Sequence, residues 1–184
     1  PVADGSLDLV TCVYLLHEVP SDVRARIAAG FTRVLRPGGR LVVVDSLQMG
    51  DRPAWDGLLT AFPRRFHEPF YGDYAHSDLR ALFAQAGLRP VSEELAFLSK
   101  IMVFDKPGVV TLGCNIHDWM VGYVVVVPTP YFGKTDASGN ARLRDLPAGA
   151  YEVRAWHSQQ RAAAQAQSVV LDAAGTVRTS FEID

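Results

Sequence analysis

An α/β fold followed by an all-β segment is what this sequence predicts, on three observations. A strand, a helix and a second strand succeed one another within residues 7–45. Two extended stretches, near Arg89 to Ala96 and Lys100 to Asp105, close that alternation with a hairpin. From Gly108 onward the hydrophobic period falls to two, the spacing of half-buried strands. With 184 residues and 48% apolar content, the chain can bury one good core or two small ones.

In order, Leu7 to Tyr14 (LDLVTCVY) is an apolar, β-branched run entered from Asp4-Gly5-Ser6, the composition of a central parallel strand buried on both faces. Ser21 is placed to cap a helix on which Val23, Ile27, Phe31, Val34 and Leu35 recur at helical spacing. Pro37-Gly38-Gly39 ends that helix, and Arg40 to Asp45 (RLVVVD) forms the next buried strand. So short a strand–helix–strand unit is a right-handed crossover of an α/β sheet.

Residues 50–76 interrupt the alternation with Trp55, Phe62, Phe66, His67, Phe70, Tyr71 and Tyr74 among several prolines. Aromatics this dense in a connection suggest a cap or pocket wall, with His67, Tyr71 and Tyr74 as its candidate lining. Ser77 then caps a helix through Leu79, Leu82, Phe83 and Ala86, closed by Gly87.

The composition narrows the partners. Net charge is −2, and neither half carries a strong excess, so nothing favours nucleic acid or an anionic membrane surface. No apolar run reaches the roughly 18 residues of a membrane-spanning helix, and there is no secretory leader. The start, Pro-Val-Ala-Asp-Gly without a Met, suggests a processed or truncated segment. Cys12 and Cys114 stand in different halves, which argues against a disulfide framework and leaves one long-range bridge open.

The words DGSLDLVTCVYLLHEVP, RVLRPGGRLVVVDS and LRALFAQAGLRPV resemble the fourth strand, following helix, fifth strand and last helix of class I S-adenosylmethionine-dependent methyltransferases. The resemblance covers residues 1–105 and implies a partial Rossmann-like sheet, S-adenosylmethionine as cofactor, a small-molecule methyl acceptor and a cytoplasmic setting. By position it places Cys12, Tyr14 and Leu15 along the cofactor crevice at a strand end. His17 and Glu18 stand just beyond, where acid/base or substrate-orienting groups belong; capping and solvation are their plainer roles. The glycine-rich first loop and the acidic residue that holds the ribose are not found in this sequence, so about half of the cofactor cradle is missing and the chain is expected to be inactive alone. Incomplete sheet edges would leave it open to self-association.

After Gly108, Val109 to Cys114, Val121 to Val127 and Tyr151 to Trp156 read as strands, and Ser168 to Asp172 pairs with Thr176 to Ile183 in a final hairpin. Short strands at this spacing predict a partial β-sandwich over residues 106–184. Between the first two stand Cys114, His117 and Met120, in the pattern Cys-x-x-His-x-x-Met. A thiolate, an imidazole and a thioether from one tight loop suit a blue-copper site. Here LGCNIHDWM resembles the ligand loop of amicyanin-like cupredoxins, and TDASGNARLRDLPAGAYEVRAWH resembles prealbumin-like, carboxypeptidase-regulatory sandwiches, families that are mostly exported to places such as the periplasm. The family's second histidine ligand, from an earlier strand, has no counterpart here; His157 is the residue that could be recruited. Cys114 and Met120 could equally be core filler.

The junction Phe104-Asp105-Lys106-Pro107-Gly108 serves both resemblances without a linker, which suggests a chimera. Three function classes therefore stand: methyl transfer from S-adenosylmethionine, copper-dependent electron transfer, and a non-catalytic binding module.

Overall fold

The computed structural model describes residues 2–113, 119–160, 165–173 and 175–183. The chain divides into two compact units, Pro1–Pro128 and Thr129–Asp184. The structural division thus falls beyond the junction at residues 105 and 106.

The first unit contains β1 (Leu7–Val13), a 3-10 turn (Leu16–Glu18), α1 (Ser21–Val34), β2 (Leu35–Ser46), α2 (Asp56–Arg65), α3 (Tyr71–His76), α4 (Leu79–Gln85), β3 (Arg89–Ala96), β4 (Ser99–Asp105), β5 (Gly108–Gly113) and β6 (Val121–Val126). Four strands form a mixed sheet in the order β1-β2-β4-β3, with β1 parallel to β2 and the other two pairs antiparallel. The expected crossover and the closing hairpin are both present. The hairpin inserts its second strand, β4, beside β2.

Alternation along the strands sends Cys12, Leu41, Val43, Met102 and Phe104 to one face. There they meet Ala28 of α1, Tyr74 of α3, and Leu79 and Phe83 of α4. Phe83 and Phe104 lie with ring centroids 4.7 Å apart. A second cluster of Leu47, Leu59, Tyr71 and Ala75 forms where the aromatic connection folds back as α2 and α3.

Several local expectations change. Ser21 is the first residue of α1 rather than its cap; the cap is Pro20, whose carbonyl accepts the N–H groups of Val23 and Arg24 at 3.0 Å each. Asp78 caps α4, accepting from the Ala81 N–H at 2.9 Å, because the Ser77 hydroxyl is already committed to the Tyr74 carbonyl. Helix α1 ends at Val34, and Pro37-Gly38-Gly39 lies inside β2 as an irregularity, where the register jumps from Leu7↔Leu35 to Leu9↔Arg40. A Cβ on Gly39 would stand 2.9 Å from the Arg36 carbonyl oxygen and 3.1 Å from that of Leu7, so the close approach of the two strands requires glycine there.

β1 is not a central strand buried on both faces. It is the edge of the four-stranded sheet, and Leu9 and Val13 are 53% and 56% exposed. An apolar, β-branched run identifies a strand but carries no information on how many neighbours it has.

The junction is integrated into the first unit. Asp105 receives the guanidinium groups of Arg40 at 2.8 Å and Arg89 at 3.3 Å. The Lys106 ammonium donates to the carbonyls of Thr32 and Leu35 at 2.7 Å each, closing the C-terminal end of α1 where orphan carbonyls and the helix dipole favour a cation. β5 and β6 pair in register from Gly108↔Val126 to Gly113↔Val121 as a two-stranded ladder.

In the second unit β7 (Gly149–Ala155) pairs with β8 (Gln165–Leu171). Strand 151–156 is therefore found, and its alternating burial confirms the period of two. The expected final hairpin is not: Ser168 to Leu171 pairs with β7, and Thr176 to Ile183 forms no ladder, contributing its Ser180 carbonyl to the Gln167 amide at 2.7 Å. The expected sandwich is not confirmed: the described residues after 107 form two two-stranded ladders. Every buried residue among those described lies between Cys12 and Asp105. A two-stranded ladder by itself has little face to bury.

Candidate functional site

Parallel pairing sets the carboxyl ends of β1 and β2 side by side, with Val13 opposite Val44. Tyr14 follows with φ at 49°, its N–H still bonded to the Val44 carbonyl at 2.8 Å, and this left-handed step turns the chain into the 3-10 turn. On β2 the next residue is Asp45, 1% exposed. One of its carboxylate oxygens accepts the Leu16 N–H at 2.8 Å; the other accepts the Ser46 N–H at 2.8 Å and meets His17 Nδ1 at 2.5 Å. A carboxylate taken this far from water needs such donors. It can only accept, so His17 Nδ1 carries a proton and donates it. In the neutral ring the lone pair is then on Nε2.

The rest of the neighbourhood holds this pair in place. Arg24, 1% exposed, donates to the carbonyls of Leu16 at 3.2 Å and Val19 at 2.9 Å and pairs with Asp73. It thereby ties the turn that carries His17 to α1 and α3. The rings of Tyr14, Tyr71 and Tyr74 stand edge-on to His17 at centroid distances of 6.2, 5.9 and 5.9 Å. Tyr71 shares a hydrogen bond with the Ser46 hydroxyl at 2.7 Å, and Tyr74 donates to the Ser46 carbonyl at 2.5 Å. Glu18 places an oxygen 3.5 Å from His17 Nε2.

These contacts set the electrostatics. The hydrogen bond to Asp45 raises the pKa of His17 above its ordinary value; burial opposes this, and the charges of Asp45, Glu18 and Glu68 add to it. Burial, with the Asp45 charge behind it, pushes the Cys12 thiol up to about 11. That thiol is no nucleophile at neutral pH. Burial likewise raises both Tyr71 and Tyr74, so their hydroxyls stay protonated donors.

Of the residues expected along the crevice, Cys12 turns inward to the core, whereas Tyr14 and Leu15 are exposed at the strand end. His17 and Glu18 come together; His67 is exposed and joins no described cluster. Cys114 and His117 of the expected copper loop lie outside the described residues, Met120 is exposed, and His157 lies in the second unit with Nδ1 accepting the Gln159 N–H at 3.2 Å.

Sequence reasoning missed Asp45, Arg24 and Glu68. Asp45 had a visible signal, an acidic residue closing an otherwise apolar strand run. Arg24 had none, because one arginine on a helix reads as solvated surface.

A cavity of about 370 Å³ opens elsewhere, lined by Gln48, Asp51, His76, Arg80, Glu93 and Lys100. Its buried cation is already satisfied, since Lys100 meets Asp51 at 2.8 Å, Gln48 at 3.1 Å and Glu93 at 3.7 Å. At the strand end the exposed side chains are those of Tyr14 and Leu15. Asp45 is not free to hold a ribose, its oxygens being committed to Leu16, Ser46 and His17.

The profile of the family described as a methyltransferase domain matches residues 1–43, which carry β1, the His17 turn, α1 and most of β2. No curated protein matches the chain. Similar solved structures include a possible exported protein from Bordetella parapertussis (23% identity, TM-score 0.44, 57% of this chain and 40% of that one). An O-methyltransferase family protein from Burkholderia thailandensis gives 18%, 0.43, 55% and 31%. A SAM-dependent methyltransferase from Methanosarcina mazei gives 18%, 0.41, 56% and 60%. The chain thus spans less than two thirds of each, and likeness at this level carries no functional inference. No described helix is long and apolar enough to cross a membrane.

Proposed function

We propose that this chain is part of an S-adenosylmethionine-dependent methyltransferase and that His17 is its general base toward a small-molecule acceptor. The observation that carries this proposal is the His17–Asp45 pair at the adjoining ends of two parallel strands, where open α/β sheets bind ligands. The profile match over residues 1–43 supports it independently.

The donor supplies an electrophilic sulfonium methyl. Toward it, Tyr14 and Leu15 present the exposed wall of the strand end, while Cys12 only packs beneath them. As the acceptor oxygen loses its proton, that proton goes to His17 Nε2, and Asp45 holds the ring in the required tautomer and stabilises the imidazolium formed. Arg24 is a positioning residue, acting through the turn. Tyr71, Tyr74 and the protein below them exclude water from one side of the imidazole. The expected copper chemistry of Cys114, His117 and Met120 rests on the spacing of those three residues alone.

The test is a heteronuclear NMR titration with S-adenosylhomocysteine. Binding weaker than low micromolar, that is, less than about 8 kcal/mol, with shifts concentrated at Tyr14, Leu15 and His17, is expected. No shift at those residues at saturating ligand would remove the crevice from the account.

A further inference from the structure

Beside the His17–Asp45 pair lies a set of donors that proton transfer does not use. A ring nitrogen of His17 and carboxylate oxygens of Glu18 and Glu68 lie within 4.8 Å of one another, and it is Nε2 that stands 3.5 Å from Glu18. They arrive from different places. His17 and Glu18 come from the 3-10 turn after β1, and Glu68 comes from the connection between α2 and α3.

Three features of these side chains point to a ligand. His17 is 9% exposed, Nδ1 is committed to Asp45, and among the described residues Nε2 makes no hydrogen bond, Glu18 at 3.5 Å being its neighbour. A histidine oriented through its other nitrogen by a buried carboxylate is the arrangement that holds metal-ligating imidazoles and raises their basicity. Glu68 Oε2 is buried and has no hydrogen-bond partner among the described residues, an orphan acceptor of the kind that a bound ion resolves. Finally, two carboxylates converge on this imidazole with no described cation beside them; Arg24 faces Asp73 and backbone carbonyls instead.

We propose that His17, Glu18 and Glu68 form a divalent transition-metal site of the zinc type, with solvent or an acceptor oxygen completing the coordination. One imidazole and two carboxylates with an open position suit such an ion. Ligand atoms around tetrahedral zinc, with bonds of about 2.0–2.2 Å, are about 3.4 Å apart. His17 and Glu18 already have that spacing at 3.5 Å, and the Glu68 oxygen lies within 4.8 Å of both. Tyr14, Tyr71 and Tyr74 supply the aromatic surround. The site goes beyond methyl transfer and does not rest on it. It does compete with it, because the metal takes the lone pair that the base requires.

The experiment is calorimetric titration of ZnCl₂, without methyl donor, into the full chain carrying Cys114→Ser and His117→Gln, which removes the thiolate and the imidazole of the Cys-x-x-His-x-x-Met segment. One equivalent bound, weakened about 10-fold or more by Glu68→Gln and by Glu18→Gln in the same background, is the expected result. Glu18 is half exposed, so its substitution leaves the fold intact even if Glu68→Gln does not. Absence of stoichiometric binding, or an affinity indifferent to Glu18→Gln, overturns the proposal. Neither outcome bears on S-adenosylhomocysteine binding, which is measured separately.

Discussion

Residues up to Asp105 and those after it contain strands of similar composition and have opposite fates. In β2 and β4, Leu41, Val43, Met102 and Phe104 disappear into a core because a third and fourth strand broaden the sheet and residues of three helices, α1, α3 and α4, cover its face. In β6, Val121, Tyr123, Val124 and Val125 are as apolar and remain exposed on a two-stranded ladder. Burial is decided by what lies against a strand rather than by what the strand is made of. The same contrast bears on the polar interior, because a buried hydrogen-bonded pair such as His17–Asp45 needs a packed surround, which the described ladder strands, with no buried residue, lack.

Hydrogen exchange gives the largest contrast. Backbone amides of β2 and β4 are expected to exchange at least about 10³-fold more slowly than those of β7 and β8, the former opening only with global unfolding. Equal protection in both would abolish the distinction. Next in size, Phe104→Ala should cost about 3–5 kcal/mol in chemical denaturation, through lost burial and the cavity left against Phe83. Val170→Ala, at a position 68% exposed, should stay within about 0.5 kcal/mol. A comparable cost at Val170 would mean that the second unit has a core of its own.

How much of this the sequence disclosed follows the same physics. The strand–helix–strand order, α4 and the β3–β4 hairpin came from period and punctuation, which are local. The exposure of β1 and the pairing of the described residues after 107 as two-stranded ladders depend on neighbours, which no local pattern records. At the site, His17 and Glu18 were visible because they follow a strand end. Asp45 and Glu68 join them through contacts spanning 28 and about 50 residues, and only folding reveals these.

A smaller effect is expected at the Cys-x-x-His-x-x-Met segment. Cu(II) added to the full chain should give a pale, weakly held species, since three donors leave a strong position to water. An intense, persistent copper–thiolate band lost in Cys114→Ser would show that a further ligand, with His157 the first to examine, completes the site.

Stability should also depend modestly on pH through His17. Its pKa is raised in the folded chain, so the contribution of the His17–Asp45 contact is fully present below the unfolded value near 6.5 and is lost as pH rises through the folded value. Thermal unfolding across that window should show the loss in the native chain and not in Asp45→Asn.

The most direct test of the central claim is an NMR titration of the His17 ring in the native chain and in Asp45→Asn. The geometry predicts a pKa above the ordinary histidine value with the neutral ring protonated on Nδ1, and a fall toward the ordinary value once the carboxylate is removed. A native His17 that titrates at or below the ordinary value, or that carries its proton on Nε2, would contradict the oriented base on which the account depends.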